Sequence, residues 1–318
     1  MTHSAAGGKI QETDIERYHS TRGLDYESVP WKLWEKSKKL FWDPADIDFS
    51  QDAIDWQQMS EEEQTLVALS ARGFMVGEEA VTLDIVPLLR CMSDLGRLED
   101  TMYLAMFAME EAKHTEMFRR WFDAVGLDPA SLDDLVRARN EALAQQRTGI
   151  FDGVLSRVMR RLDTDKSPQA ILDASIIYNQ LVEGVMAIAG YQRWEQTFRR
   201  LEKLPGLEAG LKLTQRDERR HIAYGTYLGR RVLAENPELW EWLEKRWAKL
   251  TAGFSDGGGY GSGEPRSSAQ REDAELMAQY ERLSRRRLEA LAVARTMSVT
   301  EVNASAVESF EPEELQQA

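Results

Sequence analysis

Met109-Glu110-Glu111-Ala112-Lys113-His114-Thr115-Glu116 is the stretch on which the reading of this 318-residue chain turns. Within it, Glu111 and His114 form a Glu-x-x-His pair inside a long segment of helical periodicity. Residues three apart on a helix lie on one side, one turn apart, so a carboxylate and an imidazole can converge on a single ion. A lone pair of this kind is more often solvated on a helix surface. Here Leu104, Phe107, Ala108, Glu111, His114, Phe118 and Trp121 follow helical spacing, which sets the pair in an apolar stripe. A carboxylate facing a core must find a partner or lose its charge, and a metal ion is one such partner.

A second copy strengthens the case. Glu218 and His221 repeat the spacing in Asp217-Glu218-Arg219-Arg220-His221, within the stripe Leu207, Leu211, Thr214, Glu218, His221, Gly225, Leu228 and Val232. Each pair is preceded by a helix carrying one more inward Glu: Glu78, 33 residues before Glu111, and Glu183, 35 residues before Glu218. The half-to-half offsets are 105 for Glu78 to Glu183 and 107 for Glu111 to Glu218. One Glu from each of two helices and a Glu-x-x-His from each of the other two is the ligand pattern of ferritin-like dinuclear carboxylate proteins. Four carboxylates and two imidazoles, with no thiolate, suit iron or manganese. A third match, Glu16 and His19, lies in a polar stretch without an apolar stripe and reads as coincidence.

Composition narrows the class. Hydrophobic content of 42% and charged content of 30% are ordinary for a globular chain. A net charge of −14 argues against nucleic acid as a partner. The single cysteine, Cys91, excludes an internal disulfide and points to a reducing, cytoplasmic setting. The N-terminal residues lack a basic region followed by an apolar one, so no secretory signal is expected. The most apolar run, Ile176 to Ile188, contains Asn179, Gln180 and Glu183, so no transmembrane segment is expected either.

Strand-like alternation is absent, and the expected fold is all-α: a ferritin-like four-helix bundle core with additional flanking helices and a dinuclear metal site inside the bundle. Ser60-Glu61-Glu62-Glu63 predicts a capping box opening a helix that runs to near Pro87. The next helix spans Gly96–Leu98 to about Gly126, and a polar helical connector covers about 131–162. Ser167-Pro168 predicts an N-cap and first-turn proline for the helix of Glu183. The fourth core helix starts after Pro205-Gly206 and stops before Asn236-Pro237, and another follows to Phe254. Trp31, Trp34, Leu40, Phe41 and Trp42 read as an arm packed over the bundle. The expected organisation is a mobile segment over 1–27, a metal-binding domain over 28–254, a Gly/Ser-rich linker over 255–270, and a C-terminal helix with a disordered acidic tail over 271–318.

From Trp31 to Trp240 the chain resembles the ribonucleotide-reductase small-subunit superfamily, and within it the small-subunit-like ligand-binding oxidases. The motifs carrying the resemblance are Gly77-Glu78-Glu79-Ala80-Val81-Thr82, Glu110-Glu111-Ala112-Lys113-His114, Tyr178-Asn179-Gln180-Leu181-Val182-Glu183-Gly184 and Asp217-Glu218-Arg219-Arg220-His221, together with Phe41-Trp42-Asp43-Pro44-Ala45-Asp46-Ile47-Asp48-Phe49. The resemblance implies six metal ligands, Glu78, Glu111, His114, Glu183, Glu218 and His221, and a manganese/iron or di-iron cofactor that activates O2. It also implies an ether cross-link between Val81 and Tyr178, a bound long-chain fatty acid, and a homodimer. Helical spacing independently places Val81 beside Glu78. Tyr178 rests on the resemblance, because five residues before Glu183 is about 140° around an ideal helix. Two other uses of such a site stay open. One is a radical-generating ribonucleotide reductase small subunit, whose usual radical tyrosine falls where this chain has Phe118. The other is an iron-storage bundle.

Overall fold

Twelve α-helices and one π-helix account for most of the fold in this computed structural model, which describes residues 23–134, 153–255 and 268–315. In chain order they are α1 (Val29–Lys39), α2 (Ser50–Gln58), α3 (Glu61–Asp84), α4 (Val86–Asp94), α5 (Leu98–Val125), α6 (Leu155–Arg161), α7 (Pro168–Ser175), the π-helix (Ile176–Ala187), α8 (Ile188–Leu201), α9 (Pro205–Glu235), α10 (Leu239–Ser255), α11 (Ser268–Ala292) and α12 (Val299–Ala304). No strand occurs among the described residues. The core bundle is α3, α5, the continuous rod α7–π–α8, and α9.

Local chemistry sets the helix ends. Ser60 and Glu63 close a reciprocal capping box on α3, Gly126 ends α5 at φ 72°, and Ser167 caps α7 with Pro168 in its first turn. Helix α9 begins at Pro205 itself, two residues earlier than the sequence suggests. The buried Asp52 carboxylate accepts from Gly206 N at 2.7 Å and Leu207 N at 2.8 Å, satisfying amides that the helix start leaves unpaired. Residue 206 must be glycine, because an added Cβ would lie 2.6 Å from Asp48 O.

The apolar core falls into two clusters, and every core helix runs from one into the other. One contains Val81, Phe107, Tyr178 and Ile222; the other contains Met75, Phe118, Tyr191 and Leu211. Between each pair of these residues along its helix lies a candidate ligand: Glu78, Glu111 with His114, Glu183, and Glu218 with His221. The fold therefore places the polar centre between two dry layers.

The rod Pro168–Leu201 carries the most apolar run of the sequence, Ile176 to Ile188. It is long and apolar enough to cross a membrane by length and composition, but 89% of its most apolar window is buried inside the protein. Its hydrophobicity belongs to the bundle core.

The acidic C-terminal residues correct one expectation. Over the described residues 308–315 the chain is folded, with Phe310, Glu311 and Leu315 buried. Glu311 bridges Lys36 at 2.5 Å and Arg219 at 2.9 Å, while Glu314 meets Arg286 at 2.8 Å. Arg230 lies 5.0 Å from the Phe310 ring centre. The acidic composition that suggests a solvated tail here matches cations from α1, α9 and α11. Helix α11 itself packs on the π-helix, where the Arg287 stem crosses so closely that an added Cβ on Gly184 would sit 2.8 Å from its Cδ. The connector residues 135–152, the linker residues 256–267, and the terminal residues 1–22 and 316–318 lie outside the described residues.

Candidate metal centre

The six carboxylate and imidazole side chains singled out by spacing converge in the middle of the bundle. Glu78, Glu111, His114 and Glu218 offer ligand atoms that all lie within 4.8 Å of one another, and so do Glu111, Glu183, Glu218 and His221. All six residues are buried. Glu111 and Glu218 belong to both groups, which is the geometry of two adjacent ion positions with shared carboxylates.

The imidazoles are oriented from behind. His114 Nδ1 faces Glu78 at 3.3 Å and Glu111 at 3.5 Å, while its Nε2 is 3.3 Å from Asp217 Oδ2. His221 Nδ1 faces Glu111 at 3.1 Å and Glu218 at 3.5 Å, while its Nε2 is 3.0 Å from Glu110 Oε2. In each case the acid preceding one Glu-x-x-His holds the histidine of the other. With the Nε2 proton donated to that carboxylate, Nδ1 presents a lone pair inward, the arrangement usual for metal-ligating histidine.

Arg220 ties the two outer carboxylates together, its Nη2 donating to Glu110 at 2.6 Å and Asp217 at 2.5 Å. Asp217 also accepts from Trp42 Nε1 at 2.7 Å and Lys113 Nζ at 3.2 Å. Trp42 is thus part of the support for His114, a role beyond the packing arm its aromatic neighbourhood suggests. Sequence reasoning missed Glu110, Asp217 and Arg220, although the signal was present: both motifs read acid-Glu-x-base-His.

Tyr178 is the sharpest departure from ideal-helix geometry. Its hydroxyl donates to Glu111 Oε1 at 3.2 Å, so it stands at the centre despite the angular separation calculated for an α-helix. The reason is the π-helix, whose i→i+5 bonding widens each turn until residues five apart, such as Tyr178 and Glu183, come nearly into line. Asn179 donates to Glu183 Oε2 at 3.0 Å, and α9 approaches this segment so closely that a Cβ on Gly225 would fall 2.0 Å from Asn179 Cβ. Tyr191 adds a second phenol, 3.5 Å from Glu218 Oε1. Val81 is buried one turn beyond Glu78 and belongs to the same core cluster as Tyr178.

The donor set fits divalent cations. Glu111 Oε2, Glu183 Oε1, Glu218 Oε2 and His221 Nδ1 are buried without a hydrogen-bond partner among the described residues. Such atoms are costly unless something positive lies between them. Two divalent ions would neutralise the four inner carboxylates, and the oxygen-and-imidazole set suits manganese or iron. The lone thiol, Cys91, is buried elsewhere, where burial pushes it up to about 11.

Without cations the centre holds protons instead. Burial pushes the Glu78 and Glu183 carboxyls well above their usual range. Burial opposes charge on His114 and His221, but Asp217 and Glu110 respectively, with the inner carboxylates, outweigh it and raise both. Each of these shifts extends the protonated form to higher pH than in the free side chain, so metal ions compete with protons for the centre. Affinity should therefore rise with pH, by about tenfold per pH unit for each proton displaced. Titrating metal into weakly buffered apoprotein at pH 7 should acidify the solution; uptake without proton release would contradict the description.

Residues 24–252 match the family described as ribonucleotide reductase, small chain. Among solved structures the chain is similar to an R2-like ligand-binding oxidase from Sulfolobus acidocaldarius, at 36% identity over 89% of this chain and 97% of that chain, with a TM-score of 0.74. It is also similar to a tyrosine-to-phenylalanine variant of an R2-like ligand-binding oxidase with an aerobically reconstituted Mn/Fe cofactor, at 32% identity, 86% and 94% coverage, and a TM-score of 0.67. A valine-to-leucine variant with the same cofactor matches at 31% identity, 86% and 94% coverage, and a TM-score of 0.66.

Proposed function

The chain belongs to the ribonucleotide reductase small-chain family, and from that premise we propose that it is an O2-activating dinuclear oxidase. Its metals are manganese and iron, with di-iron as the alternative occupancy, held by Glu78, Glu111, His114, Glu183, Glu218 and His221. The observation that carries the reading is the pair of overlapping ligand clusters sharing Glu111 and Glu218. The bound metals supply electrons that reduce O2. The chain supplies an enclosed, dry site, carboxylates that neutralise the ions, and an outer layer of Glu110, Asp217 and Arg220 that fixes both imidazoles.

Two side chains at the centre are themselves oxidised in this reading. Tyr178 gives up its phenolic hydrogen, Val81 gives up the hydrogen on its tertiary β-carbon, and the phenolic oxygen and that carbon join in an ether. Two hydrogens leave as two protons and two electrons. Reduction of O2 to water takes four electrons, and two bound metals would supply the other two. The burial of both residues and the Tyr178 hydroxyl on Glu111 support this assignment.

A long-chain fatty acid is the proposed ligand, supported by the ligand-binding relatives and the apolar layers around the centre. The residue before Glu78, Gly77, leaves open space, with no heavy atom within 4 Å of an added Cβ. Each buried CH2 adds about 0.8 kcal/mol, so the acyl chain should survive purification. Solvent extraction and mass spectrometry should recover it; repeated extraction without any acyl chain would point to another substrate class.

The proposed assembly is a homodimer. Leu98, Met102, Ala105, Met109 and Ala112 run along α5 at alternating spacings of four and three, with Leu98 and Met109 both more than 40% exposed. That spacing is the seam of paired helices. Met109→Glu should convert the dimer to monomer in sedimentation experiments, and an unchanged dimer would place the interface elsewhere. The buried thiol of Cys91 accords with a cytoplasmic location.

Phe118 favours this reading over a radical-generating reductase subunit, because a phenyl ring has no phenolic hydrogen to lose. Oxygen uptake by reduced, metal-loaded protein tests the proposal, with two metal ions per chain expected. Loading with many iron atoms per chain would favour storage, and nucleotide reduction on adding a large subunit would favour the reductase.

A further inference from the structure

A line of buried aromatic rings leaves the candidate centre on the side of His221. The Phe107 ring stacks on the His221 imidazole, with centroids 3.6 Å apart and planes at 11°. Phe107 meets Tyr103 at 6.1 Å, Tyr103 meets Tyr224 at 5.1 Å, and Tyr224 meets Tyr227 at 6.3 Å between centroids. All four rings are buried. At such separations neighbouring ring edges touch, and an electron can pass from ring to ring.

The buried phenols at the centre and along this line differ in one decisive respect, the base available to each. Removing an electron from a phenol makes its proton strongly acidic, and in a dry core the charged product is costly unless the proton leaves too. Tyr103 Oη has no hydrogen-bond partner among the described residues. Tyr178 and Tyr191 face Glu111 and Glu218, carboxylates committed to the metals in the proposed function. Tyr224 instead donates to Asp100 Oδ1 at 3.0 Å. Asp100 is buried and outside the ligand set, gripped by Arg97 through Nε at 3.0 Å and Nη2 at 2.7 Å.

We infer that Tyr224 is a redox-active side chain, oxidised by the dioxygen-oxidised metal centre through Tyr103 and Phe107, with Asp100 as its proton acceptor. The inference rests on the oxidase reading. In the step, the Tyr224 O–H bond breaks, one electron travels inward and reduces the centre by one equivalent, and the proton moves to Asp100. Tyr224 is left as a neutral phenoxyl radical, and Asp100 becomes a neutral acid beside Arg97. A one-electron reductant in solution restores the phenol, the proton returning from Asp100. Tyr227 extends the line outward: its hydroxyl bonds Asn303 at 3.2 Å and accepts from the partly exposed Arg231 at 3.2 Å. The device drains oxidising equivalents when Val81 and Tyr178 cannot use them.

The test uses full-length Tyr178→Phe protein, in which no ether can form. It is loaded with manganese and iron, exposed to O2, frozen, and examined by electron paramagnetic resonance with ring-deuterated tyrosine. A tyrosyl signal is expected that narrows on deuteration and falls at least tenfold in Tyr178→Phe/Tyr224→Phe, while Tyr178→Phe/Tyr191→Phe retains it. Tyr224→Phe keeps the ring, and metal content checks that the centre still assembles. Asp100→Asn in the Tyr178→Phe background should also lower the signal. Oxygen consumption without a tyrosyl radical, or a radical that survives Tyr224→Phe, would overturn the inference and leave the oxidase reading intact. Absence of oxygen consumption by the loaded wild-type protein would overturn both.

Discussion

Glu218→Ala should strip the protein of both metal ions, whereas Glu78→Ala should chiefly empty one position. The difference follows from geometry, since Glu218 and Glu111 offer oxygens to both ligand clusters while Glu78 and Glu183 each serve one. Losing an outer partner of a metal ligand already costs roughly 10–100-fold in affinity, and losing a shared inner carboxylate should cost more. It also leaves the buried His114 and His221 facing fewer negative groups, so the vacated site gains little from the protons that could replace the ions. Elemental analysis after desalting should find both positions empty in Glu111→Ala and Glu218→Ala, and one ion retained in Glu78→Ala and Glu183→Ala. Two tightly held ions in either shared-ligand variant would contradict the assignment.

The second large effect concerns the protein's own oxidation. Tyr178→Phe removes the oxygen that would make the ether but keeps the ring between Phe107 and the π-helix, at a cost of one hydrogen bond to Glu111. Metal binding should therefore persist while cross-linking falls to zero. Val81→Ala removes the tertiary C–H and offers only a stronger primary one, so cross-link yield should fall severely, again with both ions bound. Peptide maps of the two variants check this; a branched peptide joining positions 81 and 178 at wild-type yield in either variant would refute the chemistry.

Much of the site was legible because it is written twice. A single Glu-x-x-His carries little information, as Glu16 and His19 illustrate, but two copies in apolar stripes, each preceded by an inward Glu, specify a bundle and its ligands together. The outer layer was written in the same motifs, in the acids Glu110 and Asp217 and the base Arg220, but its meaning depends on a crossing over between halves. Glu110 serves His221, and Asp217 serves His114, pairings more than 100 residues apart that helix periodicity cannot reveal.

Three other features were misread for identifiable reasons. The angle of Tyr178 was calculated on an α-helix, and nothing in local propensity announces the π-helix that Ile176–Ala187 adopts under packing from α9 and α11. Trp42 looked like part of an aromatic arm, since its hydrogen bond to Asp217 spans 175 residues. The acidic end looked solvated, yet Glu311 is neutralised by Lys36 and Arg219, far away in the chain. In each case a long-range contact decided what composition or ideal geometry left open.

If the centre activates O2 and oxidises Val81 and Tyr178, as proposed, a peptide map of oxygenated wild-type protein will carry the mark. Reduced protein loaded with manganese and iron is divided, one half kept anaerobic and the other exposed to O2, and both are digested with trypsin. Only the oxygenated half should yield a branched species containing the Val81 and Tyr178 peptides, lighter than their sum by two hydrogens. Fully loaded protein that consumes O2 and still releases the two peptides separately would contradict it.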